Sequence, residues 1–263
     1  MSGLDLDRLL DAAVAAARAG GDIVRAAVDA GPAARQKGPG DWVSDADTAS
    51  ERVVRAVLLD AAPDLPVHGE EEGGERGRLG WLVDPIDGTT NFLHRFPVVG
   101  VSVALVDDGQ PIVGVVHAPL LGDTYTATTG GGAHRNGVPI RVSDRAPVSA
   151  VLATGTPFRA KRARLGEYVD VFERALRTFE DLRRAGAASL DLAWTAAGVF
   201  DGYFEQALGP WDVAAGALLV REAGGRVTDW AGDPDGWITS GDIVAAPPSV
   251  HDQILAVIAG EPT

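Results

Sequence analysis

One segment, DPIDGTTNF at residues 84–92, constrains this chain more than any other feature. It follows a short apolar run and carries two carboxylates, Asp84 and Asp87, on a turn in which Pro85 fixes φ. Such a turn can direct both carboxylates and the carbonyl of Ile86 toward one point, and hard cations bind oxygen ligands of this kind. The glycine and threonines that follow are typical of a helix start, where N–H groups bind phosphate. An ordinary Asp-Pro turn before a helix cap is the plainer alternative, but the full segment indicates metal-assisted chemistry on a phosphate ester.

Three acidic residues elsewhere can add carboxylates to such a site. Glu70 directly follows a glycine, which permits close approach of the backbone. Asp212 falls in the first turn of a predicted helix, and Asp47 begins another. Each has a second interpretation, because acidic runs are usually solvated and an Asp at a helix start stabilises the helix through its macrodipole. Taken singly, these residues leave both interpretations open.

Composition excludes several classes of function. The formal net charge of −14 argues against direct binding to nucleic acid or to an anionic membrane surface. The absence of cysteine excludes thiolate nucleophiles, disulfides and iron–sulfur clusters. The sequence contains neither a G-x-S-x-G elbow nor a P-loop, and its five histidines lack metal-ligand spacing. No signal-like start and no apolar stretch of roughly 20 residues is present. We therefore expect a cytoplasmic protein that does not contact a membrane.

Periodicity predicts an alternation of helices and strands. The predicted helices cover residues 4–30, 47–60, 162–179, 187–198, 211–223 and 249–259. The predicted strands cover residues 79–83, 98–106, 111–118, 124–129, 148–154, 202–205, 226–230 and 242–246. Residues 36–45 are predicted to form a loop, and Asp107-Asp108-Gly109 predicts a hairpin between the strands at 98–106 and 111–118. The chain thus combines an α+β half with an antiparallel sheet, residues 1–146, and an α/β half, residues 147–263.

Several of these motifs together resemble the inositol monophosphatase family, whose members are magnesium-dependent, lithium-sensitive phosphomonoesterases. The resemblance rests on Gly-Glu-Glu at residues 69–71, on the segment at 84–92 and on Trp-Asp at 211–212, in the order and rough spacing of that family. It extends to residues 201–205 and 222–225 and covers nearly the whole chain. It implies a layered αβαβα sandwich of the inositol monophosphatase and fructose-1,6-bisphosphatase type, usually assembled as a homodimer.

The resemblance also implies three sets of site residues. The ligands for two or three Mg²⁺ ions, with Mn²⁺ as an alternative, are Glu70, Asp84, the carbonyl of Ile86, Asp87 and Asp212. The residues that act on the attacking water are Glu70, Thr89 and Asp47. The residues that contact the substrate are Gly88, Thr89, Thr90, Ala188, Glu205 and Asp212. Two ions held in this way would clamp the attacking and leaving oxygens of an in-line displacement and neutralise the carboxylates, so that a phosphate dianion can enter. The 1–146 half would then hold the metals and the phosphate, with Asp212 and the ring contacts coming from the 147–263 half.

The sequence constrains the identity of the substrate and the biological role of the protein less than it constrains the reaction chemistry. Thr90-Asn91-Phe92 resembles the inositol branch, which implies hydrolysis of myo-inositol 1-phosphate or a related polyol phosphate; histidinol-phosphate phosphatase and fructose-1,6-bisphosphatase are alternatives. A non-enzymatic alternative is a protein-binding role in a transcription complex. The chain departs from many family members at Ala187, where they carry Ser or Thr. The basic stretch at residues 155–164 is either a solvated helix start or a contact for a partner subunit or a second anionic group.

Overall fold

The computed structural model describes residues 4–31, 34–38, 41–156 and 163–261, with the backbone alone in 34–38 and 41–43. The helices of this part of the chain are α1 (Leu6–Ala30), α2 (Asp45–Ala61), α3 (Thr89–Leu93), α4 (Leu165–Thr178), α5 (Ala188–Ala196), α6 (Pro210–Glu222), α7 (Trp237–Ser240) and α8 (Pro248–Ala259), and a 3₁₀ turn lies at Pro147–Ser149. No helix among the described residues is long and apolar enough to cross a bilayer.

The larger sheet has seven strands that follow one another in chain order. They are β3 (Val67–Gly69), β4 (Leu79–Asp87), β5 (Gly100–Asp107), β6 (Gln110–Ala118), β7 (Asp123–Thr128), β8 (Gly132–Arg135) and β9 (Val138–Pro139). Only β3 and β4 pair in parallel among these neighbours. Asp108 and Gly109 join β5 to β6 with φ of 51° and 82°, as a two-residue type I′ turn requires, and this confirms the predicted hairpin.

The smaller sheet has five strands in the spatial order β11-β10-β12-β14-β13. They are β10 (Val151–Thr154), β11 (Asp181–Arg183), β12 (Gly202–Glu205), β13 (Arg226–Thr228) and β14 (Ile243–Ala246). The central strand β12 pairs in parallel with β10 and antiparallel with β14, so the sheet is mixed.

Helices and sheets stack as five layers. Helices α1 and α2 cover one face of the seven-stranded sheet, α5 and α6 lie between the two sheets, and α4 and α8 cover the outer face of the five-stranded sheet. Every residue of α6 from 213 to 220 is buried, as a helix that is apolar all round must be. These layers confirm the predicted αβαβα sandwich. The division into halves at residue 146 stays a prediction.

The predicted helices and strands each have an observed counterpart whose ends lie within four residues. The predicted loop at 36–45 is wrong in part, because β1 (Ala34–Gly38) and β2 (Asp41–Ser44) pair as an antiparallel ribbon. Hydrogen bonds between the main chains of two strands do not require alternating apolar residues, so the Gly- and Asp-rich sequence did not indicate this ribbon. Of the basic stretch at 155–164, residues 157–162 lie outside the described residues.

Candidate active site

Three carboxylates from different parts of the chain meet at one end of the larger sheet. Asp84 lies on β4, and Glu70 follows β3, which pairs in parallel with β4. Asp212 lies in the first turn of α6, where its Oδ2 accepts the N–H of Gly209 at 2.7 Å. One carboxylate oxygen from each of the three acids lies within 4.8 Å of the other two, which is a geometry that could hold a metal ion.

An irregularity in β4 brings Asp87 to the same site as Asp84. Two residues three positions apart on a regular strand point to opposite faces of the sheet. Here Asp84 pairs with Ser102 of β5, whereas Asp87 pairs with Gly100, so β4 advances by three residues where β5 advances by two. The extra residue is a bulge, and bulges of this kind redirect side chains. Both carboxylates therefore line one cavity.

Burial dominates the electrostatics of these two acids. Burial raises the pKa of Asp84 well above its usual range, and the negative charges of the neighbouring carboxylates raise it further. Burial and the charge of Asp212 raise the pKa of Asp87 to about 7, and hydrogen bonds from Ser189 offset part of that rise. Carboxylates crowded in this way become stable in their charged form when a cation lies among them.

Ser189 of α5 holds Asp87 in place. Its main-chain N–H and its hydroxyl both donate to Oδ2 of Asp87, at 2.7 and 2.5 Å. Nothing in the local sequence around Ser189 predicts this contact, because the two residues are 102 positions apart. One hydroxyl of the 186–189 region therefore does reach the site, although Ala187 departs from many members of the resembled family.

Thr89 connects the cavity to a buried acid behind it. The Thr89 hydroxyl lies 3.3 Å from Oδ1 of Asp47 and 3.2 Å from the Ile86 carbonyl, and it has one proton to donate to either acceptor. Asp47 is held by the capping box of α2, since its Oδ2 accepts the N–H and hydroxyl of Ser44 at 2.8 and 2.6 Å. Asp47 is thereby buried without lining the cavity.

Gly88 occupies a position that only glycine fits well. Its φ is +90°, and a Cβ there would come within 2.9 Å of the Val98 carbonyl oxygen. The residue directly precedes α3, and Gly88 and Thr89 line the cavity at that helix start. Helix starts of this type bind anions.

The cavity has a volume of about 290 Å³. Ten of the eleven predicted site residues line it, and they are Glu70, Asp84, Ile86, Asp87, Gly88, Thr89, Thr90, Ala188, Glu205 and Asp212. Arg184, Gly186 and Leu208 complete the lining and were not predicted. Arg184 is the one cation among the described residues that line the cavity. The sequence offered no signal for it, because it lies in an arginine-rich stretch that resembles an exposed helix or strand end.

Glu205 lies at the part of the cavity formed by the smaller sheet. It ends β12, and the hydroxyl of the buried Tyr203 donates to its Oε2 at 2.6 Å. Gly155 passes so close to this carboxylate that a Cβ there would overlap it. Glu205 is therefore held in one orientation, and it lines the cavity together with Ala188 at the start of α5.

Comparison with known proteins agrees with this geometry. The sequence model described as the inositol monophosphatase family matches residues 5–261. The chain is 40% identical over 259 residues to the Nus factor SuhB of Escherichia coli, covering 96% of both chains. It is 47% identical over 200 residues to an inositol-1-monophosphatase of Rhizobium meliloti, covering 74% of this chain and 75% of that one. The solved inositol monophosphatase of Anabaena superposes with a TM-score of 0.87, at 34% identity and 98% coverage of both chains.

Proposed function

Because the chain belongs to the inositol monophosphatase family, we propose that it is a metal-dependent phosphomonoesterase that hydrolyses myo-inositol 1-phosphate or a related polyol phosphate. One observation carries the proposal. Carboxylate oxygens of Glu70, Asp84 and Asp212 lie within 4.8 Å of one another in a cavity that also contains a helix start suited to phosphate. Either feature alone occurs in many proteins, but their combination in one cavity fits a phosphate ester bound beside cations.

The donor set fits Mg²⁺ or Mn²⁺. The candidate ligands are the oxygens of Glu70, Asp84, Asp87, Asp212 and the Ile86 carbonyl, and hard oxygen donors without sulfur or imidazole favour these ions over zinc. The elevated pKa of Asp84, caused first by burial and then by neighbouring carboxylates, indicates a site that needs positive charge. We assign two or three ions to it. When bound, such ions activate a water molecule and stabilise the developing charge on the leaving oxygen.

The other residues position the reactants. We assign Asp47 to orient the hydroxyl of Thr89, with Glu70 and Thr89 orienting the attacking water. The main-chain N–H groups of Gly88 and Thr89, with Thr90 beside them, bind the phosphate. The residues that contact the substrate ring are Ala188, Glu205 and Asp212. Support for these roles comes from the cavity that most of them share and from the hydrogen bond between Thr89 and Asp47.

Phosphate release tests the proposal directly. Release from myo-inositol 1-phosphate should depend on Mg²⁺ and stop with EDTA, and Asp84→Asn should lose most of it because the change removes a buried charge shared by the ion sites. Asp235→Asn is a matched control, since Asp235 is exposed and its carboxylate accepts a hydrogen bond from the Gln110 side chain outside the cavity. Activity of Asp84→Asn near that of the wild type would refute the site assignment.

The substrate is tested by comparison within the superfamily. Histidinol phosphate and fructose 1,6-bisphosphate are the competing substrates. A tenfold preference in kcat/KM, about 1.4 kcal/mol in transition-state stabilisation, identifies the branch. A preference for either competitor would replace inositol phosphate in the proposal while leaving the metal chemistry in place.

A second candidate function is binding to other proteins in a transcription complex. The observation that favours it is the 40% identity, across 96% of both chains, to a protein named Nus factor SuhB. With a net charge of −14, contacts in such a complex would be made to protein rather than directly to nucleic acid. If this role exists, Asp84→Asn should bind the same protein partners as the wild type in pull-down experiments while losing phosphatase activity.

We also propose a homodimer, which analytical ultracentrifugation of the purified protein would test.

A further inference from the structure

A buried ion pair on α2 lies directly beneath the turn that carries Glu70. Glu51 and Arg55 are one helical turn apart, and Nη2 of Arg55 lies 3.0 Å from Oε1 of Glu51. The side chain of Glu51 is 0% exposed and that of Arg55 is 22% exposed. Neither residue lines the cavity, and the sequence offered no reason to include either in the site.

Together, the two side chains of this pair bond the main chain before and after Glu70. Glu51 accepts the N–H of Glu71 at 2.8 Å and the N–H of Glu72 at 3.0 Å. Arg55 donates to the carbonyl of Val67 at 2.6 Å, before Glu70, and to the carbonyl of Gly73 at 2.8 Å, after it. Four hydrogen bonds thus connect one turn of α2 to residues 67–73.

The opposite side of the turn is held by β4. The Glu70 N–H donates to the Val83 carbonyl at 3.1 Å, one residue before Asp84. Gly69 leaves no room for a side chain, because the carboxylate of Glu51 occupies the space that a Cβ would take. The main chain at Glu70 is therefore clamped between α2 and the strand that carries the next candidate ligand.

Without this support the segment would be poorly ordered. It contains three consecutive glutamates, which repel one another, followed by Gly73 and Gly74 at φ of 64° and 123°. Glycines lose more conformational entropy on ordering than other residues. Any ordering that neither α2 nor β4 supplies would have to come from the binding of the metal ion, which would weaken the observed affinity.

We propose that Glu51 and Arg55 are positioning residues that hold the Glu70 turn in its metal-binding geometry before the ion arrives. Both oxygens of Glu51 already accept hydrogen bonds from main-chain N–H groups and Arg55, so Glu51 acts through Glu70 rather than on the ion. The inference rests on the proposed function, since it requires that Glu70 binds a metal ion. Groups that support a ligand in this way typically change metal affinity by about 10- to 100-fold when mutated.

The test is direct metal binding by Glu51→Gln, measured with Mn²⁺ by isothermal titration calorimetry on the full chain. Glutamine keeps the shape of the side chain but places an NH₂ group against donors, so we expect affinity to fall by about 10-fold or more. In the activity assay, the Mg²⁺ concentration for half-maximal rate should rise while kcat at saturating Mg²⁺ stays near that of the wild type. If Glu51 had only a general structural role, its substitution would lower the melting temperature without raising the Mg²⁺ requirement at unchanged kcat.

Arg52 provides a matched control on the same helix. Its Nε donates to Oε1 of Glu72 at 2.7 Å, but this pair lies on the surface, with the Arg52 side chain 69% exposed. Arg52→Ala therefore removes a contact with the same turn without opening the buried clamp, and surface pairs of this kind contribute little. We expect its Mn²⁺ affinity to stay within about twofold of the wild type.

If Glu51→Gln does not fold, Arg55→Lys replaces it, because lysine keeps the charge but cannot reach the Val67 and Gly73 carbonyls in one fork. A folded Glu51→Gln or Arg55→Lys variant that binds Mn²⁺ as tightly as the wild type would overturn the inference. In that case the proposed function would stand, provided that Glu70→Gln weakens binding. Absence of Mn²⁺ binding by the wild type would overturn both.

Discussion

Replacing Ser189 by alanine should weaken metal binding by about 10- to 100-fold without unfolding the protein. The change removes one of the two donors to Oδ2 of Asp87, the hydroxyl at 2.5 Å, and leaves the N–H at 2.7 Å. A hydrogen bond to a charged group contributes about 1.5–3 kcal/mol, which corresponds to that range of affinity. Burial raises the pKa of Asp87, and the hydrogen bond from this hydroxyl lowers it. Removal of the hydroxyl therefore also makes the carboxylate harder to ionise.

The assay is calorimetric titration with Mn²⁺ at pH 7, accompanied by the Mg²⁺ dependence of phosphate release. Thr195→Val is the matched control, because its buried hydroxyl lies on the same helix and donates to the Asp191 carbonyl at 2.8 Å, away from the cavity. Both variants should lose some stability, whereas only Ser189→Ala should lose metal affinity. Equal Mn²⁺ affinity in Ser189→Ala and the wild type would refute the reasoning that Asp87 is a ligand held by Ser189.

Two further predictions concern lithium and acid. Millimolar Li⁺ should inhibit Mg²⁺-dependent phosphate release where equal Na⁺ does not, because Li⁺ is close to Mg²⁺ in size and can take its place among the buried carboxylates while leaving charge uncompensated, whereas Na⁺ is larger. Full insensitivity would count against the assigned cofactor. Burial lowers the pKa of His251 to about 4, with Arg226 lowering it further and Asp252 opposing. The unfolded chain therefore takes up a proton that the folded protein excludes, and the free energy of unfolding should fall by up to about 3 kcal/mol as pH drops from about 6.5 to 4. Urea denaturation at pH 7 and 4.5 should show a smaller fall in His251→Gln than in the exposed control His94→Gln, and equal falls would contradict the assignment.

The parts of the site that sequence could predict are those whose chemistry is local. The segment at 84–92 carries its carboxylates and glycine in nine consecutive residues, so its candidate ligands and its helix start are visible without tertiary structure. The turn predicted at residues 84–87 is wrong, because these residues continue β4 and a bulge redirects them. The antiparallel hairpin of β5 and β6 was also predictable, because Asp-Gly is a dipeptide that favours the positive φ angles of a two-residue hairpin turn. Asp212 was a candidate because a helix start is also a local signal.

The remaining parts depend on contacts between distant segments. Ser189 reaches Asp87 only because α5 packs against the end of β4, and Glu51 reaches the Glu70 turn across 20 positions. The bulge that brings Asp84 and Asp87 to one side is a matter of register with β5, which the residues of β4 do not specify. The ribbon of β1 and β2 was missed because main-chain pairing carries no side-chain pattern.

The burial of α6 between the two sheets has a consequence for synthesis of the chain. Asp212 follows Asp84 by 128 positions, so at about 5–20 residues per second a ribosome adds it roughly 6 to 25 s later. Until α5 and α6 have been synthesised, the seven-stranded sheet has no cover for the face that carries Leu82, Ala104 and Val116, all of which pack against these middle helices in the finished protein. The nascent chain thus exposes an apolar surface until α6 emerges. A chain whose translation stops before α6 would carry three of the four carboxylates of the proposed metal site. Chaperones and proteases would recognise its exposed apolar surface, and it would lack the complete set of metal ligands.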